Sequence, residues 1–166
     1  MNKELIINSA PTGVEIALLE NKKLVELHHE KADASFAVGD LYLGKVKKLI
    51  PGLNAAFVDV GFEKDAFLHY TDLSPYAKSL LKFTQTCIND KSDSIFDFSK
   101  FEVEPEIIKT GKINEVLSGK PNILVQILKE PIAAKGPRLS CEISLPGRFV
   151  VITPFNDIVA VSKKIH

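Results

Sequence analysis

Residues 52–70 constrain the fold of this chain more than any other segment, because they read as two short strands around a glycine turn. Side chains alternate between the two faces of a strand. Alternation in Ala55–Val60 sets Phe57 apart from the small apolar residues, and alternation in Asp65–Tyr70 does the same for Phe67. The residues expected on the core face are Ala56, Val58, Val60, Ala66, Leu68 and Tyr70.

The two phenylalanines therefore suggest a surface for nucleic acid. Phe57 shares its face with Asp59, and Phe67 shares its face with His69, so both rings lie on the polar side of their strands. Aromatic rings in that position are platforms on which unpaired bases stack. The alternative is ordinary packing of both rings inside the protein. His69 has two interpretations as well, a contact with a base or a plain surface residue.

The charge balance leaves a nucleic-acid role open. Lys+Arg and Asp+Glu are both 21, so the net charge is zero, and a local basic stripe matters more than that sum. One strand carries Lys45, Lys47 and Lys48. Alternation puts Lys45 and Lys47 on one face and Lys48 on the other, so only a subset can line one groove. The alternative for all three is solvated surface charge.

Several other classes of protein are disfavoured. Cys87 and Cys141 lack metal-ligand spacing and read as reduced thiols of a cytoplasmic protein, and a disulfide between them is the alternative. The chain has no apolar run long enough to cross a bilayer, and its start lacks the features of a signal peptide. Phosphate-binding glycine loops, nucleophile motifs and paired carboxylates are also missing. We therefore predict no catalytic residue and no metal ligand in these 166 residues.

The strand pattern predicts a mainly β protein with minor α structure. Three strands form a meander in the first 35 residues, and five strands from Val38 to about Ser144 suggest a small closed barrel of the OB type. The predicted strands are Glu4–Asn8, Val14–Glu20, Lys23–His28, Leu41–Ile50, Ala55–Val60, Asp65–Tyr70, Asn122–Glu130, Arg138–Ser144, Arg148–Thr153 and Asp157–Ser162.

The segment between the third and fourth barrel strands is harder to assign. A helix is predicted to start in Thr71–Pro75 and to continue through Tyr76 to Thr84. Residues 88–120 are charged and aperiodic, so the insertion 76–120 is treated as a long loop of open function. The strand-rich flanks of the barrel are expected to pair with each other in one sheet.

Several motifs, taken in order, resemble the S1-type OB domain of the RNase E/RNase G endoribonucleases. The resemblance covers nearly the whole chain, except for the loop 76–120. Two further segments are similar to the family's Lys-Gly-x-Arg-Leu strand and the Ser-Leu-x-Gly-Arg motif that follows it. The matching segments are Gly44–Val46, Leu53–Gly61, Ala66–Leu68, Val125–Glu130, Lys135–Ser140 and Ile143–Arg148.

The resemblance implies a fold and a set of RNA-binding residues. It implies an S1 domain over 38–130, inserted into a partial RNase H-like β-sheet subdomain made of 1–37 and 131–166. It also implies that Phe57 and Phe67 stack on bases and that Lys129 contacts the RNA backbone. Simple alternation would put Lys129 on the core face, and a bulge near Leu128 would turn it outward.

For the whole protein, the resemblance implies a single-strand-specific endoribonuclease that acts in rRNA and tRNA processing and in mRNA decay. The Mg²⁺-binding aspartates, the 5′-monophosphate pocket and a zinc-binding cysteine motif would lie downstream, and the whole protein would be a homo-oligomer. This amino-terminal piece, as a monomer, is expected to bind single-stranded RNA weakly and to cut nothing. Two alternatives remain: a non-catalytic S1-type RNA-binding or ribosome-associated module, and a protein-interaction barrel, which the neutral net charge favours.

Overall fold

The computed structural model describes residues 2–31, 36–90, 101–147 and 149–156. Strands are its main elements, and two helices accompany them, which confirms the predicted class of a mainly β protein with minor α structure. Two compact units divide the chain, residues 1–37 and residues 38–166.

The first unit contains a three-stranded antiparallel sheet with its strands in chain order. They are β1 (Lys3–Ala10), β2 (Gly13–Glu20) and β3 (Lys23–Lys31). All three strands predicted for the meander are confirmed. Asn21 and Lys22 join β2 to β3 with positive φ angles of 48° and 66°, the twist that suits a tight hairpin.

Five strands of the second unit close into a small barrel, which confirms the predicted OB-type architecture. They are β4 (Leu41–Ile50), β5 (Ala55–Asp59), β6 (Ala66–His69), β7 (Asn122–Lys129) and β8 (Arg138–Ser140). The order around the barrel is β4, β5, β6, β8, β7. Strands β6 and β8 run parallel, and the other neighbours are antiparallel. Strand β8 lies beyond residue 130, the predicted end of the S1 domain, and the division into S1 and RNase H-like parts stays a prediction.

The barrel core contains the residues that alternation assigned to it, and it also contains Ala55, which alternation placed beside Phe57 on the other face. Leu68 is fully buried, whereas its chain neighbours Phe67 and His69 are half-buried. Gly44 lets β5 approach β4 closely, because a Cβ atom there would lie 2.6 Å from Cγ1 of Val58. The buried apolar side chains of the barrel strands are Val46, Ala55, Ala56, Val58, Ala66, Leu68, Ile123, Val125, Ile127 and Leu139.

Two helices occupy the insertion between β6 and β7: α1 (Ala77–Asn89) and α2 (Ile113–Val116). Helix α1 buries Ala77, Leu80 and Thr84 at a spacing that keeps one face toward the core. It also buries Ser79, whose Oγ accepts from Glu104 N at 2.8 Å. The helix predicted through Tyr76 to Thr84 is confirmed by α1, which continues to Asn89, and the prediction of a long loop is wrong for the end of α1 and for α2. The predicted helix start at Thr71–Pro75 is also a few residues early. Residues 91–100 lie outside the described part of the chain.

The predicted strand Arg138–Ser144 ends early, at Ser140, because side chains take over the hydrogen bonds of a strand ladder. The Gln126 side chain accepts from Ser144 N at 3.0 Å and donates to Ser144 O at 2.9 Å. A short pair follows, β9 (Leu145–Pro146) with β10 (Val151–Ile152). The second strand is all that the described residues show of the predicted strand 148–153, and the predicted strand 157–162 lies outside them.

Candidate nucleic-acid interface

A row of paired side chains on the outside of the barrel takes one residue from each of the five barrel strands. Lys48 pairs with Phe57, Phe57 with Phe67, and Phe67 with Arg138, which in turn pairs with Lys129. Paired residues point to the same side of a sheet. We call these five residues the cross-strand row.

The two aromatic rings sit at the centre of the cross-strand row. Their centroids are 6.0 Å apart and their planes meet at 68°, an edge-to-face contact that aromatic pairs favour. Both side chains are half-buried, whereas Val58 and Leu68 beside them are fully buried. The predicted position of Phe57 and Phe67 outside the core is confirmed, so the rings are available for contact with another molecule.

His69 extends the aromatic surface, as its predicted position beside Phe67 requires. The two rings stack at 6.4 Å with 27° between their planes. Nδ1 of His69 accepts a hydrogen bond from Thr71 N at 3.2 Å and lies 2.7 Å from Thr71 Oγ1. Because Nδ1 is an acceptor, the proton of the neutral imidazole is on Nε2. His69 therefore presents an N–H donor through that atom.

A groove of about 670 Å³ opens beside the two rings. It brings together the aromatic side chains, cationic side chains and one carboxylate. Sequence reasoning missed Lys64, Lys135 and Arg138, although Lys135 and Arg138 belong to a motif that carried the family resemblance. The lining residues are Phe57, Lys64, Asp65, Phe67, Ala134, Lys135, Gly136 and Arg138.

Gly136 allows the segment before β8 to lie directly against the backbone of Lys64 and Asp65, and these two segments form two walls of the groove. A Cβ atom at this position would lie 2.4 Å from Asp65 O and 2.7 Å from Lys64 O. Both are backbone atoms, so neither can swing aside as a side chain would. Phe67 N also donates to Pro137 O at 2.8 Å. The segment before β8 is therefore held tightly against the start of β6.

Replacing Gly136 by alanine is expected to lower the free energy of unfolding by about 1–3 kcal/mol, because the added methyl group forces the two walls apart. Denaturant titration measures this loss. Gly52→Ala is the matched control, since a Cβ atom at Gly52 meets nothing within 4 Å. Equal stability of the two variants would mean that the walls do not touch as described.

The lysines of β4 are arranged differently from the prediction. The register with β5 shifts between Val46 and Lys48, so Lys45 pairs with Asp59 and Lys48 with Phe57, both on the outer face. The prediction that Lys48 faces away from Lys45 is wrong, because the bulge at Lys47 breaks the alternation. Neither Lys45 nor Lys47 is among the residues that line the groove.

Lys47 is engaged by a carboxylate. Its Nζ lies 2.9 Å from Asp59 Oδ2. Hydrogen bonds from Lys47 and from the backbone N–H of Gly61 hold the pKa of Asp59 below its usual value. Gly61 itself has φ of 85°, a conformation that favours glycine. A phosphate would have to compete with Asp59 for Lys47, whereas Lys48 faces the aromatic rings directly.

Lys129 lies where the bulge prediction put it. The register between β7 and β8 shifts between Ile127 and Lys129, and exposure changes from buried at Ile127 to exposed at Leu128 and Lys129. The predicted bulge is confirmed. Lys129 therefore reaches the outer face, at the end of the cross-strand row.

The described ranges offer little for metal chemistry. Within them, no group of three or more histidine, cysteine, aspartate or glutamate side chains could hold a metal ion. Cys87 and Cys141 are free thiols, as predicted, and burial raises the pKa of the Cys141 thiol. No helix in the described part of the chain has the length and apolar character to cross a membrane.

Comparison with known proteins finds relatives that are all named as ribonucleases of the G or E/G type. Ribonuclease G of Haemophilus influenzae is 35% identical over 163 residues, which is 98% of this chain and 29% of that protein. Ribonuclease G of Escherichia coli is 33% identical over all 166 residues, or 30% of that protein. A ribonuclease E/G-like protein of Porphyra purpurea is 37% identical over 81% of this chain. No family model matches the chain. The chain spans about 30% of the length of the ribonuclease G relatives that it matches.

Proposed function

This chain belongs to the ribonuclease E/G family, because 98% or more of its residues align with ribonuclease G relatives. We propose that it is the part of such an endoribonuclease that binds single-stranded RNA. The single observation that carries the proposal is the cross-strand row. It sets two partly exposed aromatic rings between cationic side chains at the edge of a groove.

The aromatic part of the site supplies the attraction for bases. Stacking needs only the face of a base, so it tolerates any sequence. Phe57 and Phe67 offer ring surface that is not covered by the core, and His69 continues that surface. In a duplex, each base already stacks on its neighbours and is not free to meet these rings. The site therefore favours unpaired RNA.

The cationic part of the site supplies the attraction for phosphates. Lys48 and Lys129 are exposed at the two ends of the cross-strand row, and Lys135 lines the groove beside the two rings. We keep Lys45 and Lys47 as candidates of lower rank, because neither belongs to the cross-strand row and Lys47 is paired with Asp59. This arrangement lets a strand run along the row with its backbone near the lysines.

The proposal extends to the whole protein of which this chain is a part. We propose a metal-dependent endoribonuclease of the RNase E/G type in the cytoplasm, a homo-oligomer that acts in rRNA and tRNA processing and mRNA decay. Among the described residues, no group of three or more histidine, cysteine, aspartate or glutamate side chains could hold a metal ion. As the family resemblance implies, the Mg²⁺-binding aspartates would lie downstream, and the role proposed for this chain is to hold the strand.

We expect a titration of this chain with short RNA to show binding of single strands at least about tenfold tighter than binding of duplexes of the same sequence. If three lysines contact phosphates, log affinity should fall with log salt with a slope of roughly −2, because each contact on a single strand contributes about −0.7. Equal affinity for both forms would contradict stacking, and a slope near zero would contradict phosphate contacts.

A further inference from the structure

Arg138 is a cation of the cross-strand row that is fixed in place by a neighbouring carboxylate. Its Nε donates to Asp72 Oδ2 at 2.9 Å, and its Nη2 donates to Asp72 Oδ1 at 3.1 Å. This forked geometry sets the plane of the guanidinium group. The Arg138 side chain is 40% exposed, whereas that of Asp72 is 12% exposed. The anchor is thus mostly covered, and the anchored cation still reaches the surface.

The ion pair leaves Arg138 with unused donors. A guanidinium group has five N–H donors, and the two bonds to Asp72 leave three of them. Arg138 pairs with Phe67 on one side and with Lys129 on the other, and it lines the groove. A phosphate whose base stacks on Phe67 would pass next to these donors.

Asp72 is held firmly enough to act as an anchor. Its backbone carbonyl accepts from Cys141 N at 2.8 Å and from Ser140 Oγ at 3.2 Å. These bonds join Asp72 to the strand that carries Arg138, independently of the carboxylate. Solvent reaches this ion pair through the 40% exposed Arg138 and screens it, so we expect orientation of the guanidinium group to be its larger consequence.

We infer that Arg138 binds an RNA phosphate at the groove beside Phe67 and that Asp72 is the positioning residue that orients it. The inference rests on the proposed function and adds a binding residue that neither motif spacing nor alternation identified. The ligand class is a phosphodiester of a single strand. A fixed fork donates two hydrogen bonds to such a group, whereas a flexible lysine acts as a point charge.

The competing explanation is that the Arg138–Asp72 pair is only a strut between β8 and the turn after β6. The two explanations differ in what the ion pair changes. A strut affects the melting temperature and leaves the salt dependence of RNA binding unaltered. A phosphate contact affects the affinity and its salt slope, and the melting temperature changes little.

The test is fluorescence titration of the 166-residue chain with a short single-stranded RNA over a range of salt, with the melting temperature of each variant recorded. Arg138→Gln is expected to weaken binding about tenfold and to make the slope shallower by about 0.7. Asp72→Asn keeps the charge of Arg138 but removes the carboxylate that orients it. The affinity for RNA should therefore fall, while the salt slope stays equal to that of the parent chain. Lys78→Gln, an exposed lysine of α1 outside the groove lining, controls for loss of one positive charge and should match the parent.

Each outcome decides between the two explanations. If Phe57→Ala weakens binding and Arg138→Gln does not, the inference fails and the proposed function stands. If the parent chain does not bind RNA, both fail. Should Arg138→Gln not fold, Arg138→Lys replaces it: reduced affinity at an unchanged melting temperature supports the fixed fork, and parental affinity overturns it.

Discussion

Replacing Phe57 by alanine is expected to weaken the binding of short single-stranded RNA about tenfold or more, because loss of one aromatic platform costs about 1–3 kcal/mol per stacked base. The reason lies in the position of the ring. Phe57 is half-buried on the outer face, with Phe67 at 6.0 Å and Lys48 opposite it. Phe67→Ala should have an effect of similar size, and fluorescence anisotropy measures both.

The fold should survive this substitution, because the barrel core lies on the other face of β5. Phe149→Ala is the control, since Phe149 is 78% exposed and does not line the groove. We expect parental affinity for that control and a parental circular dichroism spectrum for all three variants. Unchanged affinity in a folded Phe57→Ala variant would show that the ring does not contact bases.

Replacing Leu68 by alanine is expected to lower the free energy of unfolding by about 2–5 kcal/mol, the usual cost of emptying a fully buried leucine site. Leu68 has 0% exposure and lies on β6 between Phe67 and His69. Its side chain fills the barrel interior, where neighbouring strands cannot easily close over a cavity. Urea denaturation followed by circular dichroism measures the change.

Leu128→Ala is the matched control for Leu68→Ala, because it removes the same side chain from an exposed site. Leu128 is 41% exposed at the bulge of β7. We expect its substitution to change stability by less than about 0.5 kcal/mol, as is usual on the surface. If the two variants lost similar stability, the assignment of inner and outer faces in this barrel would be mistaken.

Alternation predicted the faces of β5 and β6 correctly, apart from the buried Ala55 at the start of β5, because these strands are regular. Each strand is short, and both contain apolar residues at every second position, so one register satisfies the core. Phe57, Phe67 and His69 therefore reached the outer face as predicted. The barrel followed from the number and spacing of such strands, which local sequence carries.

The positions of the cationic side chains were predicted less well, because β-bulges determine which face of the strand these side chains lie on. The shift at Lys47 in β4 turns Lys48 toward the rings, and no residue there marks the shift in advance. The shift before Lys129 was anticipated only through the family resemblance. Lys64, Lys135 and Arg138 come from loops and a short strand, whose position depends on tertiary contacts such as the one at Gly136.

The insertion was assigned too little structure for a similar reason. Helix α1 continues to Asn89, although its residues from Thr84 onward mix polar and apolar types and give a weak period. The helix contacts β7 and buries Leu80 and Thr84, and this packing outweighs weak helix propensity. A long-range contact also decides the structure of residues 141–144, where the Gln126 side chain replaces a strand partner by bonding to the backbone of Ser144. Such long-range contacts leave no local signal in sequence.

Photo-crosslinking tests most directly whether the cross-strand row binds RNA. A short single strand that contains 4-thiouridine would be bound to the chain and irradiated, and the crosslinked peptides would be identified by mass spectrometry. The account predicts crosslinks at Phe57, Phe67 or His69, which disappear when excess unlabelled single-stranded RNA competes. Crosslinks confined to residues 1–37, or none on β5 and β6, would contradict it.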